Sequence, residues 1–244
     1  MARDFDGVDD VLVTDLTAHS TTRTYIFWMW RDSLGEGSLG RLMDKRASGG
    51  TEVELIYINS AGEFEFLRAW SSQVGKWAIT LPGTGAWNHF VVAYDAGSVS
   101  NVATWYLNGT AQSLVSSLAP TGTVSTNTDA YHIGNRGDLS RTWGGRIRGW
   151  GCYDRILTAT EVAIVYAAGP LGLPYKPTRY YELLGSLSPE PDLYGSGAAT
   201  VTGATQIDHG PRATLWIPQR AHKSATAAAS APTPRRRALL GVGS

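Results

Sequence analysis

From residue 22 to residue 153 the chain is a run of short β-prone segments broken by Gly, Asn, Asp and Ser clusters. That rhythm constrains the fold more than any other feature. The spacing predicts strands over 22–31, 52–58, 64–70, 90–95, 102–107, 110–114, 131–134 and 146–153. Asn59-Ser60-Ala61-Gly62 is hairpin chemistry, and Asn108-Gly109 supplies the positive backbone angles of a two-residue turn. In the first segment Trp28 and Trp30 fall on one face of a pleated strand. Evenly spaced strands with so little helix predict an all-β protein, an antiparallel jelly-roll β-sandwich that buries alternate residues between two sheets.

One helix interrupts the pattern. Thr158-Ala159-Thr160-Glu161 has capping-box spacing, Val162, Val165 and Tyr166 form an apolar stripe, and Gly169-Pro170 stops the turn. It is expected as a lid on the sandwich edge. After Pro170 the texture changes, with two further strand candidates at 180–184 and 200–205 around a turn-rich stretch. The organisation expected is therefore a sandwich over 1–169, a Pro/Gly-rich extension with one or two added strands over 170–218, and an arm over 219–244. A protein ending near Gly169 is expected to fold alone. The length of 244 residues, with 43% hydrophobic residues and nine tryptophans, provides a real core for such a domain.

Charge is divided unevenly along the chain. All 21 carboxylates lie at or before Asp208, whereas Arg212, Arg220, Lys223, Arg235, Arg236 and Arg237 follow it, so residues 1–210 carry a net −6. The final stretch is mostly Ala, Ser, Thr, Pro and Arg and cannot bury a core of its own. Arg235, Arg236 and Arg237 offer forked donors for carboxylates, and Leu239 and Leu240 can fill an apolar pocket. That pairing suits docking to a protein subunit better than nucleic-acid contact, which requires no leucines. A single cysteine excludes a disulfide framework and a cysteine zinc site. No apolar run reaches membrane-spanning length, and the N-terminus lacks the basic and apolar regions of a signal peptide, so synthesis without signal-directed secretion is expected.

Several segments resemble a known family in order. Phe5-Asp6-Gly7-Val8-Asp9-Asp10-Val11 resembles the opening strand of laminin-G-like domains, in the concanavalin A-like lectin and glucanase superfamily. Trp87-Asn88-His89, running on to Tyr94-Asp95, is similar to their central strand, and Trp105-Tyr106-Leu107-Asn108-Gly109 to the hairpin after it. Ile133-Gly134-Asn135, and Gly145 through Tyr153-Asp154-Arg155-Ile156-Leu157-Thr158, resemble the closing strands. The resemblance covers roughly residues 3–169 and implies a concanavalin A-like jelly roll. Residues 189–193 and 200–205 resemble, more loosely, the ends of tailed-phage structural proteins that carry this domain.

Enzymatic chemistry finds no support in these residues. Glycosidases on this fold use a run of three acids along one strand to set an acid and a nucleophile about 5 Å apart. Glu52-Val53-Glu54 and Glu63-Phe64-Glu65 lack the third acid, with Tyr57 and Arg68 in its place, and read as strands with a solvated acidic face. His19, His89, His132, His209 and His222 are scattered, and Cys152 reads as a buried apolar residue. Arg136-Gly137-Asp138 is a triplet that loop composition explains, and Asn108-Gly109-Thr110, a glycosylation sequon, reads only as its hairpin. The resemblance implies a calcium ion at the sandwich rim as the one possible cofactor, with Asp95, Asn108, Asp129 and Asp138 as weak candidates. Sugar binding needs exposed aromatic platforms, for which Trp70, Trp77 and Trp143 are the candidates, whereas Trp28, Trp30, Trp87, Trp105 and Trp150 are expected in the core. The resulting expectation is a non-enzymatic module of a virus particle (a capsid decoration, head-fibre or tail-associated protein) whose arm docks to a homo-oligomeric, capsid or tail partner. The alternative is a carbohydrate-binding module for a surface glycan, and a glycoside hydrolase stands last.

Overall fold

The computed structural model describes residues 1–46 and 50–207, so the arm with Arg235, Arg236, Arg237, Leu239 and Leu240 lies outside the described residues. Two antiparallel sheets face each other. The first contains β1 (Ala2–Asp6), β3 (Thr22–Arg31), β8 (Trp87–Asp95), β9 (Thr104–Leu107), β10 (Thr110–Gln112), β13 (Gly144–Tyr153), β14 (Arg179–Tyr181) and β17 (Thr205–Ile207). Its order is β10-β9-β8-β3-β13-β1-β17, with β14 paired to the later half of β13. The second contains β2 (Val11–Thr14), β4 (Arg41–Arg46), β5 (Glu52–Ile58), β6 (Phe64–Arg68), β7 (Gly75–Ile79), β11 (Ser116–Leu118), β12 (His132–Ile133), β15 (Glu190–Pro191) and β16 (Ala198–Thr202). Its order is β11-β7-β6-β5-β4-β12-β2-β16-β15. The chain crosses repeatedly between the sheets, which fastens them together as a jelly roll.

Alternation along the strands builds the core. Tyr25, Phe27 and Met29 of β3 point inward, as do Phe90, Val92 and Tyr94 of β8, to meet Ile56, Ile58, Phe64 and Phe66 of the second sheet. Trp105 and Trp150 are fully buried among them, as their strand positions predict. Trp28, Trp30 and Trp87 are not core residues. They occupy the opposite parity and stand half-buried on the outer face of the first sheet. The Asn108-Gly109 turn forms as expected, with φ of 50° and 80° joining β9 to β10.

The helix α1 (Ala159–Ala168) has the predicted capping box between Thr158 and Glu161 in both directions. It lies on the outer face of the first sheet rather than at its edge. Val162 and Val165 pack on Ile26, Val91, Tyr106 and Tyr153, while Tyr166 stays partly exposed. Asp154 and Arg155 do not pair with each other. Asp154 meets Arg23 at 2.7 Å, and Arg155 meets Glu161 at 3.0 Å.

The sheets do not end at residue 169. In the extension β14 pairs with β13, β16 with β2 and β17 with β1, and β15 adds to β16. Arg3 of β1 and Glu190 of β15 form a buried ion pair at 2.9 Å, and Trp150 stacks on Tyr181. Among the described residues no helix is long and apolar enough to cross a membrane.

Candidate functional site

The outer face of the first sheet presents the aromatic surface expected elsewhere. Register places Trp30 opposite Trp87 on one side and Arg146 on the other, and one step along it places Trp28 between His89 and Arg148. The Trp30 and Trp87 rings lie 6.1 Å apart, and the Arg146 guanidinium sits 5.0 Å above Trp30. Arg146 is oriented by Asp4 at 3.4 Å, and Trp30 donates its indole N–H to Asp32 at 2.7 Å. The result is a strip of tryptophan faces edged by one oriented cation and two carboxylates.

The helix explains why this strip stays open. Val162 and Val165 of α1 pack on Ile26, Val91, Tyr106 and Tyr153, a row that crosses β13, β3, β8 and β9. Thus α1 covers that row and leaves the 30/87 row beyond Tyr166 uncovered. Tyr166 closes the covered zone, with its ring 5.7 Å from both Trp28 and His89. Beside Trp28, His89 is buried, and burial alone pushes its pKa down to about 3, so it packs as a neutral ring. A cleft between α1 and the strip is lined by Trp28, Arg148, Tyr166, Tyr180 and Glu182, yet holds only about 40 Å³. That admits a few waters.

The three tryptophans expected on loops are all buried. Trp70 continues the inward row of Phe64 and Phe66, Trp77 packs 4.4 Å from Tyr94, and Trp143 lies beside Phe64 at 6.3 Å. Proximity to strand ends misplaced them, because the core of this sandwich extends to those ends. Of the acidic strand residues Glu54 and Glu65 are buried, whereas Glu52 and Glu63 are half-buried. Glu54 is buried between the sheets, Glu65 accepts from the Tyr57 hydroxyl and meets Lys76 at 3.5 Å, and Glu52 joins Arg41 and Arg46. Burial raises the Cys152 thiol to about 12, which keeps it protonated.

The rim residues implied for calcium are not brought together as one group. Asp95 accepts from Gly97 N–H, Asp138 pairs with Arg136 and Ser140, and Asn108 fastens its hairpin to His89. Asp129 stands apart beside Lys45. Among the described residues the carboxylates close enough to share a cation are Asp6, Asp9 and Asp10, with ligand atoms within 4.8 Å. Asp10 accepts from Asp6 N–H and Asp6 from Val8 N–H, both at 2.8 Å, so the turn itself accounts for two of them. Burial, followed by repulsion from Asp6 and Asp9 against that one N–H bond, raises the Asp10 carboxyl above its ordinary value.

Two facing antiparallel sheets, a capped helix on one outer face and a solvent-facing aromatic strip define a lectin-like jelly-roll sandwich. The chain belongs to the laminin-G-like family described as the concanavalin A-like lectin/glucanases superfamily, whose pattern it matches over residues 5–163. No curated protein matches it in sequence. Among solved structures it is similar to a candidate carbohydrate-binding protein from Bacteroides ovatus, at 17% identity and a TM-score of 0.61. That match takes in 85% of this chain and 60% of the Bacteroides protein. The heptameric SAP-like pentraxin of Limulus polyphemus aligns at 14% identity and a TM-score of 0.56, over 82% of this chain and 94% of the pentraxin. At such identities the likeness speaks to the fold.

Proposed function

We propose that the chain is a non-enzymatic binding module that holds a saccharide on the outer face of its first sheet. The observation that carries this reading is the Trp30–Trp87 pair with Arg146 over Trp30. Sugar rings stack their C–H faces on indole, and the flanking Arg146, Asp4 and Asp32 supply donors and acceptors for hydroxyl groups. Neighbours on the same fold include a protein named for carbohydrate binding. The test is a glycan array run with calcium and again with chelator, followed by titration of the captured glycan. Trp30→Ala and Arg146→Ala are each expected to weaken binding at least about tenfold, equivalent to ~1.4 kcal/mol. Capture that survives both substitutions would remove the strip from the site.

A second reading places the sandwich in a virus particle, where it serves as a decoration, head-fibre or tail-associated subunit. It is favoured by the acid-free basic stretch after Asp208 and by the phage-like segments at 189–193 and 200–205. In this reading Arg235, Arg236 and Arg237, with Leu239 and Leu240, dock the chain to another virion subunit, and the particle is assembled in the host cytoplasm. Mass spectrometry of purified particles checks it, together with a protein lacking residues 219–244. That deletion is expected to keep the melting temperature and abolish incorporation. Normal incorporation would assign attachment to the sandwich.

A further inference from the structure

At one end of the sandwich the inward rows of four strands finish in charge. Arg23 precedes Tyr25 on β3, Lys45 follows Met43 on β4, Glu54 precedes Ile56 on β5, and Arg68 follows Phe66 on β6. All four are buried. Tyr131 links them, donating to Glu54 at 2.8 Å while accepting from Arg23 at 3.2 Å. Arg23 also meets Asp154 at the rim, and Lys45 donates to the carbonyls of Thr17 and Asp129 at 2.7 and 2.6 Å.

One member, Arg68, and the neighbouring His19 are poorly satisfied. Arg68 reaches the Val53 carbonyl at 3.4 Å and comes no nearer than 3.9 Å to Glu54, so its contacts sit at the limit of hydrogen bonding. His19 has a side chain only 9% exposed, its nearest carboxylate is Glu54 at 3.9 Å, and neither ring nitrogen has a hydrogen-bond partner. Buried cations are normally paired and buried ring nitrogens normally bonded. A half-open cavity of about 350 Å³ adjoins both residues, with Ser20 and Val124 and the exposed Thr21 and Thr126 as its other walls.

We propose that this cavity binds a compact oxyanion, a carboxylate or sulfate, with Arg68 as its charged partner and His19, Ser20, Thr21 and Thr126 as hydrogen-bond donors. The anion supplies the close negative charge that Arg68 lacks and an acceptor for His19. Sulfate or carboxylate can arrive as a free ion or as a substituent of an acidic sugar, and the chemistry at Arg68 is the same. The site lies at the end of β3 opposite Trp30 and does not depend on the aromatic strip for its argument.

His19 reports on occupancy. Burial first, then Arg68, Lys45 and Arg23, push its pKa down to about 4 against the pull of Glu54. The Tyr25 and Tyr131 hydroxyls and the Cys152 thiol are pushed above their ordinary values, chiefly by burial, and remain neutral. Glu54 is held below the ordinary carboxylate range despite its burial, by Arg68 and Arg23 and by the Tyr131 hydroxyl that donates to it. A second negative charge in the cavity must therefore raise the His19 pKa.

The experiment follows the His19 ring resonances of the full chain by NMR during titration with sodium sulfate, acetate or methyl glucuronide. Sodium chloride at matched ionic strength is the control. Saturable shifts and a higher His19 pKa are expected with the oxyanions, and Arg68→Met is expected to weaken binding at least about tenfold. Should Arg68→Met fail to fold, Thr126→Val at the cavity wall is expected to weaken binding severalfold. Tighter binding of glucuronide than of acetate assigns the site to a sugar-borne carboxylate, and equal binding assigns it to the free ion. An identical response to chloride, or oxyanion binding unchanged in the variants, overturns the proposal.

Discussion

Among the described residues the tryptophans divide into two sets that the same fold uses in opposite ways. Trp77, Trp105, Trp143 and Trp150 are sealed between the sheets, whereas Trp28, Trp30 and Trp87 stand half-buried outside the first sheet. Residue type does not separate them. Strand parity and the position of α1 do, since α1 packs on Ile26, Val91, Tyr106 and Tyr153 and meets Trp28 only through Tyr166. A large aromatic left at the edge of such a cover remains available to a ligand, and one between the sheets contributes only packing.

Removing the late strands is expected to damage the inner set most. A protein ending at Gly169 would lose β14 to β17, and with them the Glu190 carboxylate and the Leu187 and Ala204 carbonyls that hold Arg3, and would take Tyr181 away from Trp150. Loss of a cooperative melt is expected for residues 1–169 and its retention for residues 1–207. A sharp melt from the shorter protein would show that the sandwich closes without β14 to β17. Next in size, Trp105→Ala should lower unfolding free energy in urea by about 3–5 kcal/mol, as deletion of a fully buried indole does. Its N–H bond to the Trp77 carbonyl at 3.1 Å would be lost as well. Trp30→Ala should cost only about 1 kcal/mol. Equal costs for the two would erase the distinction between the sets.

A smaller effect concerns the buried ring beside Trp28. The His89 imidazole protonates near pH 6.5 in the unfolded chain but only near 3 in the folded one. Between those values the unfolded state binds the extra proton, so stability falls as pH falls through that window. The slope approaches about 1.4 kcal/mol per pH unit for this one group. Between pH 7 and pH 5 the urea midpoint of the wild type should fall further than that of His89→Leu. Parallel shifts in the two proteins would mean that His89 does not carry the effect.

Much of this architecture is legible in the sequence, because alternation, Asn108-Gly109 and the Thr158–Glu161 box are local signals. The strip was equally present in the pattern of Trp28, Trp30, Trp87 and His89, but its exposure depends on how far a later helix reaches across the sheet. Trp70, Trp77 and Trp143 mislead for the converse reason, since their polar neighbours in sequence lie outside a core that extends to the strand ends. The charged cluster was harder to see. Arg23, Glu54 and Arg68 share the inward parity of Tyr25, Ile56 and Phe66, and a reading that assigns charge to the solvent face passes over them. The placement of β14 to β17 rests on pairings with β1, β2 and β13 that are distant in sequence and carry no local signature.

Oxidative footprinting of the tryptophans in the native protein, read by mass spectrometry with and without the glycan captured on the array, tests the division most directly. Modification of Trp28, Trp30 and Trp87, protection of Trp30 and Trp87 by the glycan, and inert Trp77, Trp105, Trp143 and Trp150 are the expected result. Glycan protection that falls elsewhere, or outer tryptophans as inert as the inner ones, would contradict the assignment of the strip to binding.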